Sequence, residues 1–186
     1  QFIGTSNNVV VTPDVPGVPA ASQLSEVAGR PNVQANDKVV IGTNQYVFVS
    51  KLTNTMPNQV AIAALFDGSL NNLIAAINGA AGAGTSYSTN TVANAQVLAG
   101  TLTNHSFTVA ARAPGVAGNS IYTALSASAT NLVWNGSYLS GGADPVPGST
   151  NIVSSSSVPY DSFINRGWLS DEGSAVWANY FENMGS

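Results

Sequence analysis

The sequence predicts an α+β fold: a mainly antiparallel β-sheet with one amphipathic helix, plus an extended N-terminal arm and an aromatic C-terminal tail. Three observations point there. Residues 69–79 carry a single apolar stripe at helical spacing that ends at a glycine. The other apolar runs are short, rich in Val and bounded by turn residues. Both ends of the chain differ in composition from its middle.

Residues 1–36 read as the arm. Pro13, Pro16 and Pro19 each fix φ and remove a backbone donor, and each pushes its preceding residue toward extended geometry. The run Val9, Val10 and Val11 is suited to adding to a sheet edge, although the same composition also suits a plain linker. The compact domain is placed at residues 37–143. It opens with two strands, 38–41 and 45–49, joined by a tight turn at Gly42, Thr43 and Asn44. Residues 60–65 suit a strand or a helix entry. Ser69 is positioned to cap the helix, and Leu70, Leu73, Ile74 and Ile77 form its stripe. Gly79 stops it by reaching the left-handed conformation without a Cβ penalty.

Downstream the period changes to two. Residues 96–102 and 107–111 read as strands flanking a turn over 103–106, and 121–125 as another strand. Residues 131–134 and 137–139, joined by Asn135 and Gly136, read as a hairpin through a type I′ turn. Residues 144–158 have linker composition. The tail, residues 159–186, holds Tyr160, Phe163, Trp168, Trp177, Tyr180 and Phe181, six of the 15 aromatic residues. Such a segment suits docking on a partner or packing back on its own domain.

Composition narrows the function. Charged residues are 8% of the 186, against roughly 25% in ordinary domains. Ser, Thr and Asn together supply 56 positions, so the surface is polar without being charged. Five cations scattered at Arg30, Lys38, Lys51, Arg112 and Arg166 make no basic face, which argues against nucleic-acid binding. The absence of Cys excludes thiol catalysis and zinc–thiolate sites. No apolar run approaches the ~18–20 residues of a membrane-spanning helix.

Catalytic patterns are few. His105 is the sole histidine and lies in the turn beside Ser106, with no Gly-x-Ser-x-Gly elbow anywhere. Glycines 79, 82 and 84 follow a helix, whereas a phosphate loop follows a strand and opens a helix. Asp37, Asp67 and Asp144 sit at element boundaries, where capping or turn roles account for them. Asp67, Ser69 and Asn71 alternate like a calcium loop but lack the closing acid. Asn104 and Asn135 match the glycosylation sequon. No catalytic residue, metal ligand or cofactor is assigned.

The order of pieces over residues 38–144 resembles a small α+β module of tailed-bacteriophage virion proteins. The pieces are the strand pair, the helix with Leu70, Leu73, Ala76, Ile77 and Asn78, two strands, the turn with Gly115, Gly118 and Asn119, and the closing segment 139–142. The resemblance implies a non-enzymatic structural component of the phage particle. The terminal segments fit a capsid decoration or cement protein best, with a tail tube, sheath or fibre subunit as the alternative. The expected partners are other virion subunits (the major capsid protein or tail proteins) and copies of the chain itself, with no nucleic acid and no membrane. Val9, Val10, Val11, Phe163, Trp168, Trp177, Tyr180 and Phe181 are the expected partner-binding residues. Strand addition is the expected mode. A carbohydrate-binding adhesin domain is the alternative of another class; it would group exposed aromatic residues around a groove in the domain.

Overall fold

The computed structural model describes residues 7–154. Among these the chain forms β1 (Asn7–Thr12), β2 (Ala21–Glu26), β3 (Lys38–Ile41), β4 (Asn44–Val49), β5 (Gln59–Ala61), α1 (Phe66–Asn78), β6 (Val97–Ala99), β7 (Ser106–Ala111), a 3₁₀ turn (Val116–Ser120), β8 (Thr123–Leu125), β9 (Leu132–Trp134) and β10 (Ser149–Ser154). Residues Val15–Val146 make one compact unit, and the ribbon of β1 and β10 belongs to a second. The fold is α+β, mainly antiparallel, with one helix.

The body contains two four-stranded sheets, ordered β6-β7-β2-β9 and β5-β4-β3-β8; only the β4–β5 pair is parallel. Alternation along the strands sends Leu24, Phe107, Val109 and Val97 inward from the first sheet, and Val39, Ile41, Tyr46 and Phe48 from the second. With Leu70, Leu73, Ala76 and Ile77 of α1 they form one apolar cluster. Each fully buried Leu, Val or Phe side chain contributes about 1.5–3 kcal/mol. The expected helix stripe is therefore the buried face, with Ile74 half-buried at its margin. Gly79 ends the helix at φ 63°, and its N–H donates to the Ala75 carbonyl.

Asn side chains complete the sheets where strands run out. Asn78 donates from Nδ2 to the Ala99 carbonyl (2.8 Å), and its Oδ1 accepts the Ala99 N–H (2.9 Å). The side-chain amide thus stands in for a neighbouring strand at the end of β6. Asn119 does the same for Gly142, at 3.1 and 2.8 Å. Asn94 is buried; its Oδ1 accepts the N–H groups of Gln96 and Val97, and its Nδ2 donates to the Tyr46 hydroxyl. These bonds satisfy backbone groups that would otherwise be buried unpaired.

Several expectations are corrected. The compact unit begins at Val15, not at residue 37. β2 lies between β7 and β9 in its sheet, and Ala20, Leu24 and Val33 are buried. The Pro-rich stretch before it is held by antiparallel bridges from Val15 to Val146 and from Val18 to Ala143. Extended geometry there produces pairing within the chain, because residues 140–146 offer it a partner. The segment read as a linker, 144–158, likewise contains β10, which pairs residue for residue with β1. The hairpin through Asn135 and Gly136 does not form. β9 pairs with β2, Tyr138 bridges Tyr122, and neither Asn135 nor Gly136 has the positive φ that a type I′ turn needs. Leu24 opposite Trp134 is the pairing that wins. Ser69 lies inside α1, not at its cap. Its hydroxyl donates to Asn32 Oδ1 (3.1 Å) and accepts the Ala63 N–H (3.0 Å), while Leu65 precedes the helix with no side-chain cap.

Candidate functional site

Of the residues expected to bind a partner, Val9, Val10 and Val11 lie in β1, opposite Ile152, Asn151 and Thr150 of β10. Val11 is exposed. As the ribbon has two strands, each has one edge unpaired among the described residues. Phe163, Trp168, Trp177, Tyr180 and Phe181 lie outside the described residues.

His105 meets acids that are remote in sequence. Asn104 and His105 both take positive φ (48° and 56°), which turns the chain tightly within the Thr103–Ser106 bridge at the start of β7. This places Nδ1 of His105 2.6 Å from Asp67 Oδ1 in the first turn of α1, and 3.6 Å from Glu26 Oε2 at the end of β2. The hydrogen bond to Asp67 is the main cause holding the imidazole above its ordinary 6.5; the Asp67 charge adds to it, as to a lesser extent does Glu26. The Ser106 hydroxyl is hydrogen-bonded to groups other than this histidine. It donates to the Thr103 carbonyl and accepts from Gln23 Nε2. The arrangement is an exposed hydrogen bond, an ion pair when the imidazole is protonated, that ties the turn to the helix. Among the described residues no group of three or more His, Asp or Glu side chains could hold a metal ion.

The other singled-out motifs have structural work. Asp37 is buried; its Oδ2 accepts the Gln34 N–H (2.8 Å), and its carbonyl accepts the Phe48 N–H. Asp144 Oδ1 accepts the Val116 N–H at 2.9 Å. The glycines after α1 wrap Tyr87, whose hydroxyl donates to the Ala80 carbonyl. A Cβ on Gly118 would stand 2.9 Å from the Cβ atoms of Ala111 and Ala20, and one on Gly142 would collide with the Gly115 carbonyl oxygen. Gly118 and Gly142 are thus positions of close approach, Asn78 and Asn119 positions where an amide pairs with backbone, and Leu70, Leu73, Ala76 and Ile77 belong to the core.

One surface grouping was not foreseen. At the edges of the two sheets, β8 and β9 border a shallow groove of about 320 Å³ lined by Tyr122, Thr123, Val133, Trp134 and Ser137 among others. Tyr138 stands edge-on to Tyr122, with ring centroids 5.4 Å apart and planes at 63°. The Trp134 indole N–H donates to the Ala124 carbonyl at 3.2 Å and pins one strand edge to the other. The sequence assigned Trp134 and Tyr138 to the two arms of one hairpin, which hid their convergence on Tyr122. Compared with family models, curated proteins and solved structures, the chain matches none.

Proposed function

We propose that this chain is a non-enzymatic structural component of a phage particle that decorates or cements the capsid through its terminal segments. The observation that carries the reading is the ribbon. The stretches flanking the body, β1 and β10, pair with each other as a separate unit and, among the described residues, keep an unpaired edge on each strand. An exposed strand edge is a template for main-chain pairing with a neighbouring subunit. The polar, low-charge composition favours repeated contacts, because few charges must be desolvated when such a surface is buried. The order of pieces over residues 38–144 adds the resemblance to virion modules. The role assigned to His105 and its acids is structural, so replacing them leaves function intact.

The test is quantitative mass spectrometry of purified particles from the virus that encodes the chain, followed by antibody-gold labelling. The proposal expects the chain in the particle at a copy number commensurate with the shell, and label on the capsid. Its absence from particles overturns the reading; label on the tail or fibres transfers it to the tail or fibre alternative.

A further inference from the structure

We propose that the groove between β8 and β9 is a binding site for a neutral sugar that packs against Tyr122, with Tyr138 set at an angle beside it. This does not depend on where the protein is located. Tyr122 and Tyr138 are 44% and 54% exposed, large fractions for side chains that bury well, and they meet at an angle of 63° instead of lying scattered. The C–H face of a pyranose is weakly positive and apolar, and it complements the electron-rich face of an aromatic ring. Tyr presents that face rigidly, with two side-chain torsions to order.

The rest of the lining fits the same ligand. Among the described residues none that lines the groove is charged, so an anionic or cationic ligand would find no counter-charge in this lining. Hydroxyl groups are present instead. The Thr123 hydroxyl is buried and donates to the Gly136 carbonyl, whereas Tyr122, Tyr138 and Ser137 are exposed and their hydroxyls make no hydrogen bond to another described residue. Val133 adds an exposed apolar flank. The volume of about 320 Å³ is at the small end of ligand clefts and suits about one or two sugar rings. The walls are pre-formed: the Thr123 N–H donates to the Ser137 carbonyl, the Leu139 N–H to the Ile121 carbonyl, and Trp134 to Ala124. Pre-organisation of this kind lowers the ordering cost of binding.

The experiment is amide-resolved NMR titration of the full chain with glucose, galactose, N-acetylglucosamine and cellobiose, and with sialic acid as the anionic comparison. The expected result is weak binding of at least one neutral sugar, with Kd in about the millimolar range. The shifts should be confined to residues 122–125 and 132–138. Tyr122→Ala and Tyr138→Ala should each weaken it about tenfold, one 1.4 kcal/mol step. Both positions are well exposed, and the wild-type shift map stands as evidence even if one variant is poorly folded. No shift with any neutral sugar, shifts elsewhere, equal or tighter binding of sialic acid, or undiminished binding in both variants overturns the proposal. So does a groove whose resonances move on dilution of the protein alone, which would make it a contact between copies.

Discussion

Asn78→Asp isolates the part an amide plays when it replaces a strand. The wild-type side chain both donates to and accepts from Ala99, at 2.8 and 2.9 Å. The substitution keeps the acceptor and removes the donor, so the Ala99 carbonyl faces a carboxylate. The lost hydrogen bond costs about 0.5–1.5 kcal/mol. Asn78 is also the last residue of α1, where a negative charge opposes the helix dipole at a further cost of about 0.3–1 kcal/mol. The expected loss near neutral pH is about 1–2 kcal/mol. With a urea slope of about 1–3 kcal/mol per molar, the unfolding midpoint falls by roughly 1 M. The pH dependence has a definite sign. The folded state disfavours the new carboxylate, which raises its folded pKa above the unfolded value of about 3.9. The folded state then binds more protons than the unfolded one, so the deficit grows as pH rises through the folded pKa and shrinks below it. Protonated, the group can again donate to Ala99. Urea unfolding followed by circular dichroism, for wild type, Asn78→Asp and Asn78→Ala at about pH 7 and about pH 3.5, checks this. Asn78→Ala loses both bonds and should show a deficit that does not change with pH. An Asn78→Asp variant as stable as wild type at neutral pH, or a deficit equal at both pH values, refutes the reasoning.

Other outcomes follow from the same geometry. Leu73→Ala empties a fully buried position of α1 and should cost about 2–5 kcal/mol, measured by urea unfolding. Gly142→Ala drives a methyl group into the Gly115 carbonyl and should cost about 1–3 kcal/mol by the same assay. Because the folded pKa of His105 is raised, its stabilising contribution is complete below the unfolded value of about 6.5 and is lost as pH rises through the folded pKa. His105→Ala should therefore lower the thermal midpoint more at about pH 5 than at about pH 9. A chain beginning at residue 37 lacks β2, leaving β7 and β9 without their shared partner; its amide NMR spectrum should show the collapsed dispersion of an unfolded body.

Much of the fold was legible because its signals are local. The strand pair 38–49, the stripe of α1, its stop at Gly79, the alternation of β7 and the tight turn before it each depend on residues a few positions apart. β2 was missed because its sequence, Ala-Ser-Gln-Leu-Ser-Glu, holds one large apolar residue, Leu24, too few to reveal a period. Asn135 and Gly136 show the converse. A strong local turn signal gave way because Trp134 found Leu24, over a hundred residues earlier, and Tyr138 found Tyr122.

The candidate sites follow the same division. The low charge, the single histidine, the valine run at residues 9–11 and the aromatic tail are properties of the sequence alone. The partner strand of those valines, the pairing of His105 with Asp67 thirty-eight positions away, the Asn amides that finish β6 and the closing segment, and the meeting of Tyr122, Trp134 and Tyr138 were decided by tertiary structure. The physical reason is that backbone preferences are set by neighbouring residues, whereas sheet order is a competition among distant strands for a limited number of edges. The groove and the ribbon are products of that competition, and no window of a few residues contains its outcome.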